Sequence, residues 1–134
     1  MKLELLTKFS TSLPVSVNNL KKPNYYKRTM YHPPEVEDFR NQVKEIFKSL
    51  NIETLSEDLY IHVDQFFGSK RQKDIDNSFK CLLDAFTKSL LIKDDKIFKQ
   101  LTTEIIEDKK EEPHFDIYIF KKHGDLFDYM NEYR

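Results

Sequence analysis

Hydrophobic positions along the chain recur with two periods. Leu3–Phe9 reads as a first strand. The pattern then lapses: Ser16–Arg28 carries Asn18, Asn19, Pro23 and Asn24 as breakers and predicts a long polar connection, with Thr29–Tyr31 a short extended piece. From Pro33 and Pro34 onward the period changes. Val36, Phe39, Val43, Ile46, Phe47 and Leu50 recur at steps of three and four, which predicts an amphipathic helix with proline in its first turn, where no donor is missed. Asp58–Phe67 alternates through Leu59, Ile61 and Val63 and predicts a strand ending at Gly68, with Phe66 and Phe67 as core at its end. A second helix is expected from about Ile75 to Leu90, burying Phe79, Leu82, Leu83, Phe86 and Leu90. Phe98–Glu107 and Phe115–Phe120 read as two more strands, joined by the charged cluster Glu107–Glu112 as a solvated turn. Asp125–Tyr133 reads as a short helix or a tail. Strands and helices in this order predict an α+β domain over residues 1–134, a mixed β-sheet with two main helices packed on one face.

Composition narrows the class. The chain has 134 residues, 34% charged and 39% hydrophobic, and its 11 Phe and 7 Tyr suffice for a small aromatic core. With 22 basic and 23 acidic side chains the net charge is −1, so a nucleic-acid partner has to be argued from local patches. A single cysteine, Cys81, excludes an intrachain disulfide and reads as a semi-exposed bystander in an intracellular protein. Only Gly68 and Gly124 are glycines, so Gly-rich phosphate loops are absent and no nucleotide cofactor is expected. No apolar run approaches the roughly 20 residues of a membrane span, and no signal peptide is evident. The expectation is a cytoplasmic protein without a membrane partner. His32, His62, His114 and His123 are scattered without ligand spacing and read as structural or surface residues.

Candidate chemistry concentrates in Lys70–Asp95, KRQKDIDNSFKCLLDAFTKSLLIKDD. Asp74 and Asp76 lie where an extended loop enters the second helix. Measured from its apolar face, Asp76 falls at about 60°, Lys80 at about 100° and Asp84 at about 140°, one polar stripe. Asp94 and Asp95 follow the helix and rejoin the stripe if Leu91–Lys93 folds back. Converging carboxylates repel unless a divalent cation relieves them, and oxygen-only ligands favour Mg²⁺ or Mn²⁺. A lysine among them can stabilise charge building at phosphorus, which points to phosphodiester hydrolysis. The same residues also admit a purely structural reading. Asp74 or Asp76 can cap a helix start, and Asp76–Lys80 and Lys80–Asp84 are ordinary i,i+4 pairs. Lys70, Arg71 and Lys73 just ahead of the acids favour the first, since they suit a site that attracts a phosphate backbone.

The string Asp74-Ile-Asp76-Asn77-x-x-Lys80, then Asp84-Ala-Phe-Thr and Asp94-Asp95, resembles the signature of the RusA-type Holliday junction resolvases, endodeoxyribonucleases of bacteria and their phages and prophages. Pro14-x-Ser16-x-Asn18, Tyr25-Tyr26-Lys27 and Phe39-Arg40 are similar to that family's N-terminal pattern. The resemblance implies a RusA-like fold and a homodimer that cuts two opposed strands of a four-way DNA junction with Mg²⁺ or Mn²⁺, in recombination and repair at the nucleoid. It implies Asp74, Asp76 and Asp95 as metal-binding aspartates and Lys80 as the catalytic lysine, with Asn77, Asp84 and Asp94 in support. Where the family's helix usually ends on glycine, this chain has Leu90.

Near-neutrality then becomes segregation. Asn18–Tyr31 contains Lys21, Lys22, Lys27 and Arg28, no acid, and the interleaved Tyr25, Tyr26 and Tyr31. With Lys70, Arg71 and Lys73 this makes a DNA-binding approach in which cations neutralise phosphates and tyrosines stack on unpaired bases, the remaining acids lying on the far face. A solvated flexible loop is the other reading of Asn18–Tyr31. At the level of function, the alternatives are a branched-DNA-binding module without cleavage, and a nuclease for flaps or forks.

Overall fold

The computed structural model describes residues 4–122; the expected element at Asp125–Tyr133 lies outside the described residues, as does His123. Strand β1 (Glu4–Thr11) is followed by one turn of 3-10 helix (Val17–Asn19), strands β2 (Lys22–Asn24) and β3 (Thr29–Tyr31), helix α1 (Pro34–Leu50), strand β4 (Leu59–Phe66), helix α2 (Phe79–Lys88), a second 3-10 turn (Asp95–Ile97), and strands β5 (Phe98–Ile106) and β6 (His114–Lys121). The main sheet has the order β1-β6-β4-β5, in which β4 and β5 run parallel and the other neighbours antiparallel. The protein is α+β, with both helices on one face of a mixed sheet, as expected.

Strand alternation decides which face is covered. Leu59, Ile61, Val63 and Gln65 of β4 are fully buried on the helix side, where Phe115, Ile117 and Ile119 of β6 meet Val36, Phe39 and Val43 of α1 and Leu82, Ala85 and Phe86 of α2. On the opposite face, Tyr60 stacks on Phe120 at 5.4 Å and Phe66 stacks on His114 at 4.4 Å. Phe67 turns into the core, edge-on to Phe115. Strands β5 and β6 are consecutive but not neighbours, so the exposed 107–113 connection crosses the end of β4. Gly68 lies beneath that crossing with φ +61°, and a Cβ there would collide with the Glu111 carbonyl. Glycine is required on both counts.

α1 forms where its pattern predicts. Pro34 stands in its first turn with Glu35 and Glu37, Lys48 in its last, and Asn51 ends it in the left-handed conformation. α2 is shorter than the expected 75–90. Its first turn is missing because the carbonyls that would accept its amides are taken elsewhere. The fully buried Gln65 donates Nε2–H to the Ile75 carbonyl at 2.8 Å, and the Val17 amide donates to the Asn77 carbonyl at 2.9 Å. Residues 75–78 become a turn instead, so Asp76 precedes the helix rather than riding on its polar stripe.

The far end of α2 closes in a Schellman arrangement, the Leu91 amide donating to the Phe86 carbonyl at 3.1 Å and the Leu90 amide to Thr87 at 3.2 Å. This requires a left-handed residue, and Leu90 takes it with φ 65°. Its side chain is 63% exposed instead of packing with the apolar face, a correction forced by the same turn. Leu90→Gly removes left-handed strain of roughly 1–2 kcal/mol against a smaller loss of chain rigidity. Thermal unfolding should show the variant more stable by about 0.5–1 kcal/mol, a few degrees in Tm.

Two further expectations change. The polar connection Ser16–Arg28 is organised, its second half forming the β2–β3 hairpin, with the Asn24 side chain accepting the Tyr26 and Lys27 amides at the tip; Thr29–Tyr31 is extended as expected. Cys81 is buried at 2% exposure, because α1 covers the flank of α2 as well as its main face.

Candidate active site

The loop from β4 to α2 carries Asp74 and Asp76 out at the C-terminal end of a parallel strand, a place where α/β sheets commonly bind ligands. Both carboxylates are exposed. The loop is pinned from beneath by Gln65, whose Nε2 also donates to Thr103 Oγ1 at 2.9 Å, and from the side by Val17. A cavity of about 340 Å³ lies between the first 3-10 turn and this loop, bounded by Asn18, Asn19, Arg71, Lys73, Asp74 and Asn77. Asn77 Oδ1 and Gln65 Oε1 are buried without a hydrogen-bond partner among the described residues.

Lys80 and Asp84 stand one turn apart on α2, with Nζ 3.9 Å from the carboxylate and both side chains substantially exposed. Beyond the helix, Asp94 starts the second 3-10 turn by accepting the Lys96 amide at 3.0 Å. That amide, then a hydrogen bond with Asp95, holds the Asp94 carboxyl below the usual carboxylate range. Asp95 is pushed upward, first by its hydrogen bond to Asp94, then by desolvation and by the charges of Asp94 and Asp84. Asp84, Asp94 and Asp95 therefore share one electrostatic neighbourhood.

Asp74 and Asp76 do not join that neighbourhood. They stand at the opening of α2 and Asp94–Asp95 past its end, separated by a ten-residue helix on the order of 15 Å long. Among the described residues no three acidic, imidazole or thiol side chains are close enough to hold one metal ion. In type, the donors fit a hard divalent cation, since all are carboxylate oxygens, and the charges of Asp94 and Asp84 beside Asp95 are ones a cation would relieve.

Cationic groups surround the acids. Lys70, Arg71 and Lys73 are exposed just ahead of Asp74. The hairpin presents Tyr25 at 85% and Tyr26 at 101% exposure, among Lys21, Lys22, Lys27 and Arg28. Across the molecule, the uncovered face of the sheet aligns Asp116, Asp64 and Glu104 in one cross-strand row, and there His62 Nε2 donates to the Asp64 carboxylate at 2.8 Å while its Nδ1 lies 2.7 Å from Thr102 Oγ1. Acid is thus placed away from the hairpin. Gln65 is absent from the residues that motif and spacing single out, although a glutamine in the inward register of Leu59, Ile61 and Val63 marks a polar group with a buried task. Arg40, part of the N-terminal pattern, acquires a place only from the packing of α1 beside α2.

The arrangement is one aspartate pair opening α2, Asp84 on it and a second pair past its end, with a cationic hairpin beside the helices and a mixed sheet covered on one side. Residues 13–119 match the model of the family Endodeoxyribonuclease RusA, and the chain belongs to that family. Membership implies endonuclease activity on Holliday junctions and binding of branched DNA. No curated protein matches the chain. Among the described residues no helix is long and apolar enough to cross a membrane.

Proposed function

We propose that residues 1–134 act as one domain that resolves four-way DNA junctions by paired, Mg²⁺-dependent phosphodiester hydrolysis, with Mn²⁺ as a substitute, in recombination and repair at the nucleoid. The observation that carries this reading is the pinned loop that offers Asp74 and Asp76 at the opening of α2 between Arg71, Lys73 and the hairpin. Asp74 and Asp76, which stand together at the opening of α2, would hold the cation, which when bound would supply Lewis acidity and charge neutralisation at the scissile phosphate; Asp95, the third aspartate the resemblance implies, lies past the far end of that helix. Lys80 offsets negative charge developing on the phosphoryl oxygens, and Asp84 fixes its ammonium from one turn away. Asn77 and Asp94 hold the backbone that carries the aspartates. Lys21, Lys22, Lys27, Arg28, Lys70, Arg71 and Lys73 neutralise phosphates, Asn18 adds a polar contact, and Tyr25 and Tyr26 stack on bases unpaired at the crossover. Two symmetric cuts call for two such sites related by a two-fold axis, hence a homodimer.

The test is a synthetic four-way junction labelled on each strand. With Mg²⁺, opposed strands should be cut at symmetric positions, and EDTA should abolish cutting. Binding without cutting under every metal condition would establish a non-catalytic module instead, and preferential cutting of flaps or forks a different substrate. The double variant Lys21→Ala, Lys22→Ala should bind the junction more weakly and flatten its salt dependence by a slope of up to about two, about 0.9 for each phosphate no longer neutralised. Unchanged affinity and slope would remove the hairpin base from the DNA interface.

A further inference from the structure

A second cavity, of about 370 Å³, opens between the hairpin base, α1 and α2. Its floor is apolar and buried, formed by Leu20, Val36 and Cys81. Its rim is cationic: Lys21 comes from the hairpin base, Arg40 from α1 and Lys80 from α2, with Asp84 the one acid. Lys80 is already engaged with Asp84. Arg40 is half-buried, yet its side chain makes no hydrogen bond or ion pair among the described residues, although its charge reaches the Cys81 thiol. His32, also on the rim, has Nδ1 2.9 Å from the Leu20 carbonyl. A carbonyl can only accept, so Nδ1 carries the proton and Nε2 is left without an intramolecular partner among the described residues.

A guanidinium drawn over an apolar floor without an acceptor is satisfied when an anion arrives, and its planar fork matches a phosphate better than an ammonium does. The floor suits the C–H face of a deoxyribose. We propose that this cavity seats one sugar–phosphate unit of the DNA strand beside the cut, with Arg40 and Lys21 binding its phosphate while Lys80 serves the scissile one. The proposal rests on the junction-cleaving reading and adds to it a non-scissile contact that sets where along the strand the cut falls. It also gives α1 a direct part in substrate recognition, which the aspartate loop and the hairpin alone do not require.

The test measures binding to four-way junctions in EDTA, where nothing is cut, together with cleavage in Mg²⁺. Arg40→Ala should weaken binding about tenfold and lower the salt slope by about one, and Arg40→Lys should restore the slope but only part of the affinity. A series of junctions then carries one neutral methylphosphonate at each position flanking the cut. At a single position the substitution should weaken the unmodified protein by the factor that Arg40→Ala does, and weaken Arg40→Ala no further. Equal losses for both proteins at every position, or wild-type affinity and slope in Arg40→Ala, would overturn the assignment. If Arg40→Ala is unfolded by circular dichroism, Arg40→Lys enters the same series, and a partial, position-specific coupling or its absence decides. Failure of the unmodified protein to cut any junction in Mg²⁺ would instead defeat the underlying nuclease reading, and that arm involves no Arg40 variant.

Discussion

Asp76→Asn should lower junction cutting by about 10²–10³-fold while leaving junction affinity within a few-fold of the original. The substitution keeps the shape of the side chain and removes its charge. Asp76 is exposed, and what it contributes to the fold is its backbone carbonyl, which accepts the Phe79 amide at 3.4 Å and is unchanged in asparagine. Melting temperature should therefore move by no more than a degree or two. A large loss of cutting with unchanged folding and binding is the signature of a carboxylate that works on the reacting phosphate. If Asp76 merely favoured the helix dipole, stability would fall by a few tenths of a kcal/mol and cutting would persist. The assay uses single-turnover cutting of a labelled four-way junction in Mg²⁺, with binding measured separately in EDTA. Retained cutting would sink the assignment of Asp76 and leave the family membership untouched.

Phe86→Ala is expected to produce the largest loss of stability, about 3–5 kcal/mol, a fall in Tm of roughly 10–18 °C. Phe86 is fully buried, packing edge-on against Phe9 of β1 at 5.7 Å and at a tilt against Phe98 at the start of β5 at 6.4 Å. Its ring thus ties α2 to both ends of the sheet order β1-β6-β4-β5. Its carbonyl, meanwhile, receives the Leu91 amide and the Ser89 hydroxyl that close the helix. α2 carries Lys80 and Asp84, with the aspartate pairs at its two ends, so loosening it displaces every group proposed for catalysis. Urea unfolding should show the lower midpoint, and cutting should decline at temperatures where the variant is still largely folded. A loss below about 1.5 kcal/mol would mean that neighbouring side chains collapse into the space, and that α2 is held chiefly by its contacts with α1.

Asp76 and Phe86 differ in how much of their role is legible in the sequence. Helix α1 is legible because Val36, Phe39 and Val43 keep helical spacing behind two prolines, and all three are buried. Strand β4 is legible because Leu59, Ile61 and Val63 alternate. The helical period of Phe79, Leu82, Leu83 and Phe86 likewise locates α2, and spacing and resemblance together pick out Asp74, Asp76, Lys80 and Asp84 as the residues proposed to bear the chemistry. The start of the helix is not legible, because nothing local separates Ile75-Asp76-Asn77 from a first helical turn. The residues that withdraw those carbonyls, Gln65 and Val17, lie 10 and 60 residues away. The hairpin escapes for a related reason, since its polar strands bury nothing and so leave no alternation to read. Cys81 reads as semi-exposed because its burial on the flank of α2 depends on α1 standing beside it.

Side-chain period and residue type are properties of neighbours along the chain, and they are enough to point to the class of fold and to the family. Strand order, the crossing of 107–113 above Gly68, the turn at Leu90 and the separation of Asp74–Asp76 from Asp94–Asp95 arise from contacts between distant segments. A buried carbonyl takes whichever donor packing brings to it, and that choice, made by Gln65 and Val17, moves Asp76 off the helix and into the open.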